Sequence, residues 1–141
     1  KIDENFELKD FIENSRKAFE YILNAYSSNN LKALKNLLDD KIFNEYSKYV
    51  KERIKKKEDL KITIIGVQDP KILTVKVDKN EICFIDILYE SEQIHVTTNK
   101  DGEIVDGDNN QILNIIEKWS FTKKLNFKSP IWTLINISEA N

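Results

Sequence analysis

Proton transfer, metal binding and nucleophilic attack each need side chains of particular types held together, and this sequence supplies few. It has one histidine, His95, and one cysteine, Cys83. A nucleophilic triad needs a base beside its nucleophile, and a zinc site needs three or four nitrogen or sulfur ligands, so neither residue has the partners. His95 reads as a strand-surface histidine, and Cys83 lies in an apolar run, "EICFIDIL". Most carboxylates fall in turns or on helices. The exception is Asp86, which alternation places on one strand face with Phe84 and Leu88. Were that face desolvated, the carboxyl would have a raised pKa and would suit general-base catalysis. On a wet face or at a sheet edge it is a surface acid, open to solvent or bonded to backbone, with ordinary titration. Tyr89 falls on the opposite face and is a poor local proton donor.

Phosphate and metal chemistry find no purchase. None of Gly66, Gly102 and Gly107 sits in a strand–GxxxxGK–helix setting. The acidic stretch from Asp101 to Asp108 lacks calcium-loop spacing and its closing Glu. No metal and no cofactor are expected.

Charge is more informative. Residues 41–61 hold eight Lys or Arg against four Asp or Glu, in a chain whose net charge is −2. Lys48, Lys51, Arg53, Lys55, Lys56 and Lys57 form a basic run on the third helix. Near an anionic leaflet each such charge contributes about 1 kcal/mol, screened beyond a Debye length. The alternative is a solvated helix face tied by Glu45–Lys48 and Glu52–Lys55 pairs. The slightly acidic balance overall argues against a nucleic-acid partner.

The elements that must position these groups follow from length and periodicity. A chain of 141 residues, 40% hydrophobic and 33% charged, suits one globular domain spanning 1–141. No apolar stretch approaches the ~18 residues that crossing a bilayer takes, and there is no signal-peptide pattern. With Lys at position 1 and no Met, an upstream segment is expected, with room for a membrane anchor. The lone cysteine fits a reducing compartment or the absence of any redox role.

In "LKDFIENSRKAFEYILNAY", Phe11, Ser15, Ala18, Phe19, Ile22 and Tyr26 recur at helical spacing. "SSNN" breaks the pattern and offers a cap for a second helix carrying Leu31, Leu34, Leu37 and Leu38 on one face. A third helix shows Phe43, Tyr46, Val50 and Ile54. After residue 59 the period becomes two. "LKITIIGV", "KILTVKVDK" and "EICFIDILYESEQIHVTT" read as strands, the last long enough to bend near Glu90 to Glu92. "NKDGEIVDGDNN" reads as a turn or hairpin tip, with "QILNIIEKWSFTKKL" and "IWTLINI" closing the sheet. Helices first and a meander after them predict an α+β domain, its N-terminal helices packed on a curved, mostly antiparallel sheet.

Both tryptophans fall on the closing strands. Trp119 shares a face with Phe121, and Trp132 with Leu134. Rings of this size suit a core between sheet and helices, and their loss should be costly at either position. The alternative is the lining of an apolar pocket, built from Phe19, Tyr26, Phe43, Tyr46, Trp119, Phe121 and Trp132.

Several motifs then occur in a familiar order. Phe11, Ser15, Phe19 and "NAY" at 24–26 match F-x3-A-x3-F followed by Ala-aromatic, with Ser15 in the small position. Asn29-Asn30 stands where Gly-Asp precedes the second helix. "LKNLLDDKIFNEY" matches L-x2-L-L-[ST]-x3-[FY], and Arg53 falls where an Arg closes the helix. "SE" at 91–92, "DGEIVDGD" at 101–108, "WSF" at 119–121 and "PIWTL" at 130–134 follow, with Lys123 at a position where Arg is common. Over almost its whole length the chain resembles the Tim44-like family, the C-terminal domain of a peripheral subunit of the mitochondrial inner-membrane protein translocase and its bacterial relatives.

The resemblance implies a nuclear-transport-factor-two-like (cystatin-like) cone. It also implies a location peripheral to the inner (cytoplasmic) membrane, with the side left open, and an affinity for anionic phospholipid such as cardiolipin. A tethering role follows, for translocation or assembly machinery and an Hsp-seventy-type chaperone. The reading is of a scaffold without catalysis. Two alternatives stand beside it: a small-molecule enzyme of the cone fold (isomerase- or dehydratase-like) using Asp86, and a ribosome-associated binding module, since a mitochondrial ribosomal protein shares the domain.

Overall fold

The computed structural model describes residues 4–125 and 132–140, with side chains from residue 9 onward. Three helices come first: α1 (Glu4–Ser27), α2 (Leu31–Leu37) and α3 (Asp40–Lys56). Six strands follow: β1 (Asp59–Val67), β2 (Lys71–Val77), β3 (Ile82–Thr98), β4 (Ile104–Gly107), β5 (Leu113–Lys124) and β6 (Thr133–Glu139). This is the α+β arrangement that the change of period predicts.

Local chemistry sets the helix boundaries. Asn29 takes the left-handed conformation (φ 63°) after α1, a place where glycine is the usual choice. Asn30 then caps α2 by accepting from the Ala33 N–H at 3.1 Å. Asp39 caps α3 the same way through Ile42, at 2.9 Å. Lys57 ends α3 in the left-handed region, its N–H returning to the Arg53 and Ile54 carbonyls. Leu38 differs from expectation. It leaves the helix in an extended conformation and bridges in parallel to Leu134, while the Asp39 N–H donates to the Leu134 carbonyl at 2.9 Å. The connection between α2 and α3 thereby covers part of the edge of β6.

The sheet is organised on β3. Along one side of it β1 pairs with Asp59–Val67 against Thr98–Ser91, and β2 pairs with Lys71–Val77 against Leu88–Cys83. Along the other side lie β4 and β5, with β6 beyond β5, all antiparallel. β3, expected to bend near Glu90 to Glu92, runs as one strand of 17 residues. Its partner β1 has a register shift between Ile64 and Gly66, opposite Gln93 and Glu92. The expected turn at 99–110 also holds a short strand, β4. Gly107 (φ 86°) lets it pass the backbone of His95, where a Cβ would collide with the His95 carbonyl.

From Cys83 to Gln93 every odd residue of β3 is buried. These side chains form the inner face that the helices cover. Ile85, Ile87 and Tyr89 join Trp119, Phe121 and Leu134 from β5 and β6, with Phe19, Ile22 and Leu34 laid over them. The Phe19 ring stacks on Tyr89 at 4.5 Å and meets Trp119 at 4.9 Å. Tyr89 is fully buried, so its hydroxyl needs an acceptor, and it donates to the Ser15 carbonyl on α1 at 2.8 Å. Burial drives the Tyr89 phenol far above its ordinary pKa.

Candidate functional site

Between α1 and the inner face of the sheet the packing leaves a cavity of about 460 Å³. That volume lies within the range of small-molecule sites, roughly 300–1,000 Å³. Its wall is a helical stripe of α1 running from Phe11 to Ile22, and its floor is Ile87 and Phe121, with Leu37 and Trp132 closing the side. The stripe comes from three- and four-residue spacing. The floor comes from strand alternation. Polar groups are confined to α1: Asn14 and Lys17 are exposed at the opening, and Ser15 is buried with its hydroxyl bonded to the Ile12 carbonyl at 2.8 Å. Lys123 lies 5.7 Å from the centre of the Trp132 ring that closes the side, a cation–π contact, and Phe11 meets the same ring edge-on at 6.0 Å. The result is an apolar slot with ammonium groups beside it.

Of the seven aromatic residues expected to line a pocket, Phe121 and Trp132 line this cavity, and Tyr26 lines a separate cleft beside Arg53. Phe19 and Trp119 are each 1% exposed and fill solid core. Phe43 packs against that core from α3, with the Lys35 ammonium 6.0 Å from its ring. Tyr26 of α1 and Tyr46 of α3 meet at 4.7 Å with their planes tilted by 50°. The cavity is bounded instead by the stretch of α1 from Phe11 to Ile22, while Phe19 and Trp119 pack within the core and Phe43 and Tyr46 against it. Trp132 also differs from expectation: it is only partly buried and precedes β6 rather than lying within it. Pro130 and Ile131 of the "PIWTL" motif fall outside the described residues.

The basic run divides. Lys48, Lys51, Lys55, Lys56 and Lys57 are exposed on α3. Arg53 is not, being only 9% exposed. Its Nη2 donates to the Tyr26 carbonyl at 2.6 Å and to Asn29 Oδ1 at 3.0 Å, and the guanidinium lies over the Tyr26 ring at 4.6 Å. Arg53 is therefore a clamp between α3 and the end of α1, where carbonyls lack intrahelical partners. Lys56 is engaged too, with Glu52 at 3.0 Å. This i,i+4 bond, the largest cause, holds the Glu52 carboxyl below and the Lys56 ammonium above their ordinary values. The i,i+3 pairs anticipated from the sequence are not the ones formed.

Asp86 lies on the outer face of the sheet, away from the cavity. Its carboxylate accepts from Ser120 Oγ at 2.6 Å and from Thr74 Oγ1 at 2.7 Å. These bonds hold its pKa below the usual value, Ser120 contributing most. The general-base reading required the reverse shift, and the partners are hydroxyls rather than backbone. His95 is half-buried and shares a 2.6 Å hydrogen bond between Nε2 and Gln93 Oε1, and burial lowers its pKa. Among the described residues no three His, Cys, Asp or Glu are placed to hold a metal.

One inward carboxylate escaped the sequence reading. Glu117 is half-buried on the inner face of β5, accepting from Trp119 Nε1 at 3.1 Å and lying opposite Glu139 of β6. Burial is the main cause raising its pKa, with Glu139 adding to it and the indole bond opposing. Its two-residue spacing from Trp119 was the available signal. The folded state holds this proton more tightly than the unfolded chain, so the destabilising effect is absent below the unfolded pKa, about 4.3, and complete above the folded value. Glu117→Gln, which keeps an acceptor for the indole, should raise the urea midpoint at pH 7 and leave it unchanged at pH 4. A midpoint lowered equally at both pH values would show the carboxylate to be stabilising.

With this geometry in place, similarity to known proteins becomes informative. The sequence pattern of the Tim44-like domain matches residues 1–139. No curated protein matches the chain by sequence. Among solved structures, the intermembrane space region of chloroplast protein ARC6 superposes with a TM-score of 0.51 at 12% identity, over 87% of this chain and 94% of that one. At that identity the likeness speaks to fold alone, and it supports the cone-like α+β architecture.

Proposed function

The chain belongs to the Tim44-like domain family, and from that premise we propose that it is a non-enzymatic scaffold peripheral to the inner (cytoplasmic) membrane, holding anionic phospholipid while it tethers protein-translocation or membrane-protein-assembly machinery. The family is one of membrane-associated, translocation-related scaffold domains, generally without catalysis. No helix among the described residues is long and apolar enough to cross a membrane. An Hsp-seventy-type chaperone is among the partners this role would involve.

The observation that carries the lipid part is the apolar cavity with Lys17 in its lining and Lys123 against the Trp132 ring that closes it. A phospholipid's acyl chain is apolar along its length and joins, through a glycerol ester, a headgroup with an anionic phosphate, so it matches a slot of this polarity with cations beside it. The lysines of α3 have a different part. Arg53 is built into the fold and Lys56 is paired, which leaves Lys48, Lys51, Lys55 and Lys57 to attract an anionic leaflet at longer range. The cavity lies along the Phe11–Ile22 stretch of α1 and this patch lies beyond Tyr26, so the two contributions are separable.

Co-sedimentation with vesicles of anionic phospholipid, against neutral vesicles, tests both. Neutralising the four α3 lysines to Gln should weaken binding at least tenfold at low salt, with a shallower salt dependence and unchanged unfolding. Filling the slot with Ala18→Trp should weaken the binding that persists at high salt. Binding that is indifferent to lipid charge, or unchanged by both variants, would sink the proposal.

A further inference from the structure

The free edge of β2 is the least finished part of this surface. β2 pairs with β3 and, among the described residues, with nothing beyond it. The edge of β6, by comparison, is partly covered by Leu38 and Asp39. Register places Val75 beside Ile85 and Val77 beside Cys83, on the inner face. One strand inward, Ile85 and Cys83 are 6% and 5% exposed, whereas Val75 and Val77 are 56% and 55% exposed and Leu73 is 46%. α1 therefore stops short of the sheet edge, leaving an apolar row along a strand whose outward N–H and C=O groups are unpaired. Such an edge pairs readily with another strand unless something blocks or covers it.

Charge selects the occupant. Lys71, Thr74 and Lys76 lie opposite Leu88, Asp86 and Phe84, on the outer face, and Lys79 stands at the following turn. Asp86 is the acid beside them on that face, and its charge already acts on Lys76. Asp69 pairs with Arg16, Asp78 accepts from the N–H groups of Asn80 and Ile82, and Asp86 is bonded to Thr74 and Ser120. The edge thus carries a row of Val and Leu on one side and the Lys71 and Lys76 ammonium groups on the other, with Lys76 within electrostatic reach of Asp86. A second copy pairing antiparallel with its apolar side in phase would place Lys71 and Lys76 of both chains on one face, where like charges repel.

We propose that the edge of β2 docks an extended segment of a partner protein, added as a further strand, in which apolar residues alternate with acidic ones. The apolar residues cover Val75 and Val77, the acids meet Lys71 and Lys76, and main-chain bonds to β2 supply register. The proposal does not depend on lipid binding.

The probe is a capped peptide matched in length to β2 with Val and Glu alternating. It is titrated into the isotope-labelled chain and followed by amide shifts and amide hydrogen exchange. Shift changes and slowed exchange confined to residues 71–77 and their β3 partners are expected. Replacing Glu by Lys in the peptide should weaken binding at least fivefold, and so should a Pro at its centre. The protein variant Lys71→Glu/Lys76→Glu, changed at exposed positions and checked for unaltered thermal unfolding, should reverse the preference between the two peptides. Three outcomes would overturn the proposal: equal binding of Glu and Lys peptides, shifts over the α3 lysines without protection of β2, or concentration-dependent self-association that protects β2 without peptide.

Discussion

Trp119→Ala is expected to cost about 3–5 kcal/mol of folding free energy, the range for deleting a buried ring from a packed core. Trp119 is 1% exposed and sits where three layers meet. It contacts Phe19 of α1 at 4.9 Å, Tyr89 of β3 at 5.1 Å and Phe121 on its own strand at 6.2 Å. Removing it leaves a void that none of these neighbours can fill, because each is held by other contacts: Tyr89 by its bond to α1, and Phe19 by stacking on Tyr89. Trp132→Ala should cost roughly 1–2 kcal/mol, since that ring is partly solvated and gives up mainly its pairing with Phe11 and Lys123. Urea unfolding of the two variants makes the comparison. Equal losses would mean that Trp132 is as enclosed as Trp119, and a loss below about 1 kcal/mol for Trp119 would contradict the core described above.

The second large effect is at Arg53. Arg53→Ala should destabilise the fold by about 2–4 kcal/mol, because charge-assisted hydrogen bonds contribute about 1.5–3 kcal/mol each and the stack on Tyr26 adds to them, while contributions within one cluster do not sum. Arg53→Lys should recover little of this. Both bonds leave from the one Nη2, so an ammonium would serve the same acceptors only if its shorter side chain reached them, and it has no planar face to lay over the Tyr26 ring. Lys51→Gln, two residues away and exposed, should change stability by less than about 0.5 kcal/mol. Thermal or urea unfolding separates the two roles when read beside vesicle binding. If Arg53→Ala unfolds like wild type and loses lipid, Arg53 is a membrane contact and the clamp is wrong.

Asp86 and Glu117 show how far periodicity reaches. Alternation correctly grouped Asp86 with Phe84 and Leu88, and Trp119 with Phe121. It did not say which of the two groups the helices would cover. Asp86 turned out on the outer face, where hydroxyls of neighbouring strands solvate it. Glu117 shares the inner face with Trp119 and is the carboxylate with the raised pKa. Arg53 is a similar case. Its place in a basic run made it look like its neighbours, and the turn that buries it is visible only once α3 is laid against Tyr26.

Local physics was legible from the residues. Three- and four-residue spacing marked the helices, period two marked the strands, Asn30 and Asp39 supplied caps, and the order of motifs identified the family. These depend on neighbours in sequence, and short-range sterics and hydrogen bonding decide them. The tertiary structure decided the rest: which face of each strand is dry, where a cavity remains between α1 and the sheet, which cation becomes a clamp, and that no described residue pairs with the outer edge of β2. Each depends on elements far apart in the chain meeting at a particular angle. Burial, and with it every pKa and every exposed surface, is a property of that meeting and not of any segment alone.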